Sequence, residues 1–341
     1  MKEYSIGSNE AGQKLHKFIS RILKEAPVSF GYKMLRKKNI VLNGKKASGA
    51  EVLAEGDRVS FYLSDETFAK FAGGQPPDSV SDRQLPKTDR ELPIIYEDEH
   101  ILLYNKPAGK LSQKASESDF TVNEYLIASL IGSGQLTRQE LAVFRPSVCN
   151  RLDRNTSGLI ICGKSMQGLQ VMSRLLKERS LCKHYRCIVL GTVRKSFSMQ
   201  GYLHKDQRTN KVTVANLPSA DATAIHTEAE PLQSWTVRRE HREIPLSLLQ
   251  VHLITGKTHQ IRAHLASIGH PVAGDYKYGN REINDLLKKS DHIESQLLHA
   301  YSLRFPQLEG TLAGISGKEF VAPLPDTFER MMMDSHAKYA R

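Results

Sequence analysis

The chain has 341 residues, of which 40% are apolar and 25% charged, with 23 Gly and 14 Pro. This is globular composition, long enough for roughly two domains, which excludes disulfide- or metal-stapled mini-proteins and collagen-like or disordered chains. The 48 Lys and Arg against 37 Asp and Glu leave a formal charge of +11, which fits a polyanionic partner, most economically a nucleic acid, better than a small neutral substrate.

The first 63 residues hold 12 Lys and Arg against 6 Asp and Glu, over half of the net excess. Leu15, Phe18, Ile19, Ile22 and Leu23 recur at helical spacing. Ser29 is expected to cap a second short helix that carries Met34 and Leu35 and ends on Arg36, Lys37 and Lys38. Ile40 to Leu42, the pair Asn43-Gly44, and then Lys45 and Lys46 read as a hairpin with a type I′ turn and a lysine-bearing return. After Gly56-Asp57, the alternation of Val59, Phe61 and Leu63 predicts a half-buried strand. A lone charge run is usually a solvated face. The ordered set of helix, basic helix end, N-G hairpin and G-D strand, however, resembles the S-four-like (αL) RNA-binding domain over roughly residues 11–63. AGGQPPDSVSDRQLPKTDR, residues 72–90, reads as a linker.

Beyond it, strands are expected at 94–97, 101–105, 159–162, 184–190, 248–254, 298–305 and 320–322. Thr121 and Glu124 form a capping box before the apolar run Tyr125 to Ile131. Helices are expected near 166–177 and 258–268, the second ending at Gly269 as its C′ residue. Helices and strands do not alternate strictly, which predicts an α+β fold with a largely antiparallel, mixed sheet and flanking helices.

No stretch approaches the roughly 18 apolar residues of a membrane span, and MKEYSIGSNEAGQKL has no apolar signal core, so a cytoplasmic protein without a membrane partner is expected. Cys149, Cys162, Cys182 and Cys187 include no C-x-x-C pair. Neither a disulfide framework nor a common zinc site is expected, and the thiols read as buried or half-buried. Gly256-Lys257-Thr258 fails as a phosphate-binding P-loop because Val251 stands where a Gly is required. His259 and His264 fail as a metalloprotease pair, since their spacing is five and Gln260 replaces the needed Glu. No metal and no cofactor is expected.

Asn150-Arg151-Leu152-Asp153-Arg154-Asn155-Thr156-Ser157-Gly158, directly before the apolar Leu159 to Cys162, puts an Asp between two arginines in a turn that abuts a buried strand. Neighbouring guanidinium charge favours the carboxylate anion, available as nucleophile or base. From Thr258, Ile261, Leu265 and Ile268 form one apolar helix face, and Arg262 leans toward it. An inward guanidinium needs a carboxylate, and Asp153 is the candidate; the alternative is a surface acid reached by snorkelling. Lys257, Thr258 and the helix N-terminus suit a phosphate.

RLDRNTSGL, Lys183-x-Tyr185 with Gly191 six residues on, TGKTHQIRAH, GHPVAGDYKYG and LLHAYSLRFP together resemble the ordered motifs of the RluA-type RNA pseudouridine synthases, over about Ile94 to Pro325. The resemblance implies Asp153 as the catalytic aspartate, and Tyr185 stacking near the target base and assisting proton transfer. It implies Arg262 as the partner of Asp153, and Arg151 in the gap left by an everted uridine. Leu298 and His299 match a further stretch near the pocket. Members commonly have His where Asn150 stands, Asp at 155 and Arg at 257. These departures bear on RNA choice, and Lys257 keeps a cation while losing the bidentate fork.

The expected RNA contacts are Arg151, Arg154, Lys183, Lys257, Thr258 and His259, with Arg36, Lys37, Lys38, Lys45 and Lys46 in the N-terminal domain. The implied organisation is an S-four-like domain at 1–68, a linker at 69–90, a pseudouridine synthase domain at 91–330 and a tail at 331–341. The implied protein is a monomer that isomerises uridines of 23S ribosomal RNA. Transfer RNA as substrate, and a catalytically silent ribosome-assembly factor, are the alternatives.

Overall fold

The computed structural model describes residues 1–7, 10–72, 91–137, 140–141, 144–206, 211–218 and 222–333. At the N-terminus, β1 (Lys2–Ser5), β2 (Ile40–Leu42) and β3 (Arg58–Phe61) form an antiparallel sheet in the order β1-β3-β2, accompanied by α1 (Leu15–Ile22), α2 (Val28–Arg36) and α3 (Asp65–Ala72). The helical spacing of Leu15, Phe18, Ile19 and Ile22 puts all four on one face, where they are buried with Met34, Leu35, Ile40, Val59 and Phe61 in a single core.

Three local expectations are corrected here. Pro27, with ψ 144°, is the N-cap of α2 and no side chain caps that helix, so Ser29 lies in its first turn instead. Asn43 and Gly44 take φ of 51° and 71°, as the turn requires, and Leu42 and Lys45 exchange two hydrogen bonds of 2.9 and 3.0 Å. The lysine-bearing return ends there, however, and β2 pairs with β3, because β3 offers buried Val59 and Phe61 whereas Lys45 and Lys46 have nothing apolar to bury. Finally, α3 runs on through Ala72 with Phe68 and Phe71 against the same core, so ordered structure continues past residue 69, where the linker was expected to begin. Residues 73–90 of that linker lie outside the described residues. So do 334–341 of the expected tail, whose first three residues belong to a helix.

The second part of the chain builds a large sheet from eleven described strands. These are β4 (Ile94–Glu97), β5 (Ile101–Lys106), β6 (Ser147–Val148), β7 (Ser157–Gly163), β8 (Cys182–Leu190), β9 (Phe197–Lys205), β10 (Val212–Ala215), β11 (Thr223–Arg239), β12 (Arg242–Leu253), β13 (Leu298–Arg304) and β14 (Glu319–Val321). The order is β10-β9-β11-β12-β8-β13-β7-β5-β4, with β14 on β13 and β6 on β7. Among the described pairings only β13 with β7 is parallel, His299 lying opposite Ser157. Helices α4 (Val122–Gly132), α5 (Met166–Glu178), α6 (Gln260–Ser267), α7 (Arg281–Asp291) and α8 (Asp326–Met333) complete the part. The mixed, largely antiparallel α+β architecture is the expected one.

Thr121 caps α4, accepting from the Asn123 N–H and donating to Glu124, so the box signal marked the right residue. β9, β10, the 17-residue β11 and α7 were not anticipated. β11 carries a bulge between Pro231 and Gln233. Upstream of it Ala229 joins the core that contains Tyr185, Leu249 and Val251; downstream, Trp235 and Val237 join the core of Ile188, Leu246 and Leu248. The bulge thus turns one strand from one face of the sheet to the other.

Candidate active site

A cleft of about 790 Å³ opens over the core that holds Tyr185, and it is lined by residues from the 150–156 loop, β8, the 256–262 segment and Leu298. The loop reaches it through several local constraints. The Thr156 N–H donates to the Asp153 carbonyl at 3.1 Å, closing the turn. The Ser112 hydroxyl donates to the Leu152 carbonyl at 2.9 Å and accepts from the Leu152 N–H at 3.0 Å. Gly158, at φ +107°, ends the loop where β7 meets β13, and any Cβ there would collide with the Ala300 backbone. Asn150 Oδ1 accepts from the Ile161 N–H at 2.7 Å, so that side chain ties the loop to the sheet.

Lys106, fully buried, holds the same loop from beneath. Its ammonium donates to the carbonyls of Pro107, Lys110 and Arg154 at 3.0, 2.8 and 3.0 Å. Burial pushes its pKa down to about 7, with the charge of Asp153 pulling the other way. Three carbonyl acceptors require all three N–H bonds of the ammonium, so the charged form is the one that shapes the loop.

Arg262 is buried, as its place on the apolar helix face predicts, and it has two carboxylate partners where one was expected. Nη1 donates to Asp153 Oδ2 at 2.9 Å, while Nε and Nη2 grip Asp275 Oδ2 and Oδ1 at 2.7 and 2.8 Å. Asp275, wholly buried, also accepts from the backbone N–H groups of Lys277 and Tyr278. Arg262 lies over the Tyr278 ring, 5.2 Å from its centroid. Burial works against its charge, but the two carboxylates outweigh that and its pKa is raised. The fork is spent on Asp275, so Asp153 is held by a single donor and keeps a quarter of its side-chain surface open.

Tyr185 is buried on β8 and lines the same cleft. Burial, reinforced by the negative charge of Asp153, raises its pKa well above the usual phenol value, so it is a neutral proton donor at physiological pH. Lys183, two residues earlier, lines the cleft, and burial together with the Arg179 charge lowers its pKa. Arg151, Arg154, Lys257 and Thr258 are exposed at the same cleft. The helix that was expected to start at Thr258 starts at Gln260, with His259 as an N-cap in left-handed backbone at φ 57°. Gln260 fixes this approach, its Oε1 accepting from Thr255 Oγ1 at 2.9 Å and from the Lys257 N–H at 3.1 Å. His259 belongs to the anionic centre more than to an outer RNA surface. Its Nε2 is 3.8 Å from Asp153 Oδ2, its Nδ1 is 2.9 Å from the Tyr278 hydroxyl, and burial lowers its pKa against the pull of Asp153.

His299 is buried between Ser157 Oγ at 2.8 Å and the Ala322 carbonyl at 3.2 Å, and burial lowers its pKa to about 4, which makes it a neutral brace between strands. The N-terminal cations form a different surface. Arg36, Lys37, Lys38, Lys45 and Lys46 are all exposed, and Arg36 and Lys46 meet across a groove of about 760 Å³ that includes Tyr32.

Sequence reasoning missed Asp275 and Lys106. Asp275 stands in GHPVAGDYKYG, next to Gly274, whose φ of +79° and close approach to Ser295 mark a tight turn that aims the carboxylate inward. Lys106 fell just past the strand expected at 101–105, whereas the strand runs through it; the signal was a Lys directly after the buried run Ile101 to Tyr104.

A family model described as RNA pseudouridylate synthase matches residues 100–267. The chain is 30% identical over 315 residues to ribosomal large subunit pseudouridine synthase C of Escherichia coli, covering 89% of this chain and 88% of that one. It is 29% identical over 323 residues to an uncharacterized RNA pseudouridine synthase of Mycoplasma pneumoniae, with 94% of each covered. Among solved structures, human RNA pseudouridylate synthase domain containing 1 superposes with a TM-score of 0.51 at 20% identity, over 74% of this chain and 98% of that one, a likeness of fold.

Proposed function

This chain belongs to the RNA pseudouridine synthase family, and on that premise we propose that Asp153 is its catalytic carboxylate and that its substrates are uridines of large-subunit ribosomal RNA. The observation that carries the reading is the division of labour at Arg262, which grips Asp275 with its fork and spares one N–H for Asp153. Asp153 is thereby oriented and charge-balanced without being enclosed.

Isomerising uridine breaks the bond from N1 to C1′, turns the uracil, joins C5 to C1′, and gives up the C5 proton while N1 takes one up. The atoms of product and substrate are the same, so no water enters. A glycosidase needs a second carboxylate to manage water; here one suffices. Two routes start from Asp153: attack on C1′ to give a covalent ester, or removal of the 2′ hydrogen to give a glycal. Either develops positive charge at the sugar beside an anion whose partner is already fixed. Tyr185, a neutral phenol under the base, stacks on the uracil and relays the C5 proton through its hydroxyl. His259, 3.8 Å from Asp153, stands on the carboxylate side of the same step.

A uridine in folded RNA must first leave its stack, at a few kcal/mol. Arg151, exposed on the cleft, fills the vacated space with a planar cation. Lys183, Lys257, Thr258 and Arg154 hold the flanking phosphates. Residues 1–72 serve as an S-four-like module that grips the RNA backbone through Arg36, Lys37, Lys38, Lys45 and Lys46, joined to a catalytic part that begins near residue 91. The similarity to ribosomal large subunit pseudouridine synthase C supports ribosomal RNA as the substrate class.

The test maps pseudouridine in total RNA from cells that carry the parent gene, Asp153→Asn or no gene. Sites in large-subunit ribosomal RNA that vanish in both of the latter support the proposal. Loss confined to transfer RNA overturns the substrate class, and full modification with Asp153→Asn overturns the catalytic assignment.

A further inference from the structure

Lys183 and Tyr185 project from β8 into the cleft, so Cys182, His184 and Arg186 occupy the opposite face of that strand. On this back face the ladder sets four polar residues in one cross-strand row: Glu228 opposite His252, His252 opposite His184, and His184 opposite Ser302. Cys182 sits diagonally beside the two histidines. Its Sγ is 3.5 Å from His252 Nε2 and 3.8 Å from His184 Nε2. The three potential ligand atoms lie within 4.8 Å of one another, and all three residues are half-buried.

We propose that Cys182, His184 and His252 form a binding site for a zinc-class divalent metal ion on the face of the sheet opposite the cleft, with solvent in the fourth position. A tetrahedral zinc ion with its usual bond lengths holds a thiolate sulfur and an imidazole nitrogen about 3.5–3.6 Å apart, close to the two separations seen. One soft thiolate with two imidazoles selects zinc or its transition-metal neighbours over magnesium and calcium, which prefer oxygen.

The second observation is how the rings are held. His252 Nδ1 lies 3.1 Å from Glu228 Oε2 and His184 Nδ1 lies 3.4 Å from Ser302 Oγ. Each imidazole is thus engaged at Nδ1 by an oxygen and has Nε2 as the nitrogen available to the sulfur side. At His184 the sulfur is nearly as close to Nδ1 (4.0 Å) as to Nε2 (3.8 Å), and a bound ion would turn that ring. Engagement at Nδ1 is how metal-binding histidines have their tautomer fixed from behind. The two anchors come from β11 and β13 and hold rings on β12 and β8, so four strands contribute to one cluster. An ion here would pin β8 to β12 directly behind the residues that face the substrate. The absence of a C-x-x-C pair concealed the site from the sequence, since His252 lies 70 residues from Cys182 and reaches it only through strand pairing.

The experiment uses the full-length protein, freed of any tag and stripped with chelator, titrated with Zn²⁺ in competition with a chromophoric chelator and separately with Co²⁺. One equivalent of Zn²⁺ at micromolar affinity or better is expected, with a thiolate-to-cobalt charge-transfer band in the near ultraviolet. Cys182→Ser is expected to remove that band and to weaken Zn²⁺ binding at least tenfold. Glu228→Gln is expected to keep the band and lose about tenfold in affinity, and Cys149→Ser to match the parent. His252→Gln alters a side chain that is one-third exposed, so it carries the test should Cys182→Ser melt early. No stoichiometric uptake by the parent, or parental binding in folded Cys182→Ser or His252→Gln, overturns the proposal.

Discussion

The N-terminal face and the cleft at Asp153 are both rich in cations, but they hold them in opposite ways. Arg36, Lys37, Lys38, Lys45 and Lys46 stand in solvent on elements close in sequence. Arg262 and Lys106 are buried, and each is satisfied in part by a group distant in the chain: Asp153 joins Asp275 at Arg262, and the Arg154 carbonyl joins those of Pro107 and Lys110 at Lys106. Solvated charges contribute separately and are screened by salt, whereas buried charges act as a set, because removing one member leaves another unpaired in low dielectric. The first arrangement suits grip on a variable RNA backbone, the second a reaction that needs one carboxylate in one place.

The sharpest way to break this contrast is to separate chemistry from stability within the cleft. Asp153→Asn is expected to lower the single-turnover rate of pseudouridine formation by about 10⁴-fold or more. It should leave the melting temperature nearly unchanged, because Arg262 keeps its Asp275 fork. Asp275→Asn is expected to do the reverse at the level of the fold, destabilising by about 3–5 kcal/mol in urea titration, because the buried guanidinium loses its two-point partner and keeps only one bond to Asp153. If both variants melt alike, the Asp275 fork is not what holds Arg262 and chemistry and stability are not divided between the two carboxylates.

Acid should strike the second part of the chain. Burial lowers the pKa of His264 and His299 to about 4, below the ordinary histidine value of about 6.5. Their contribution is therefore complete above roughly pH 6.5 and is lost as pH falls toward 4, where the unfolded chain binds protons the native one refuses. The expected loss is on the order of 3 kcal/mol for each, and His299→Gln should flatten the slope of stability against pH.

A smaller effect tests the phenol. Tyr185→Phe keeps the ring and removes the proton donor, so it is expected to slow single turnover by about 10²-fold with little change in RNA affinity. The smallest effects belong to the N-terminal face. Lys45→Ala and Lys46→Ala should each weaken RNA binding a few-fold and reduce the slope of log affinity against log salt by about one, with the rate on bound RNA unchanged. A rate loss there, or a salt slope that stays fixed, would undo the division between the two regions.

Much of this was legible in the chain because it is local. The helical spacing of Leu15 to Ile22, the turn at Asn43-Gly44 and the box at Thr121 depend on residues a few positions apart, and each appears where the pattern puts it. β11 was not legible, since its bulge at Pro231 exchanges the faces its apolar residues serve and breaks the strand's apparent alternation.

At the site, an Asp amid arginines and an arginine on an apolar helix face each carry a local electrostatic demand, which pointed to Asp153 and Arg262, whereas Tyr185 came only from the resemblance of its motif. Only the tertiary structure decided how that demand is met: the fork goes to Asp275 and Lys106 rises beneath the loop, while Cys182, His184 and His252 converge behind it. Pairing strands distant in sequence brings such groups together, and a one-dimensional pattern holds no record of which buried charge will find which partner.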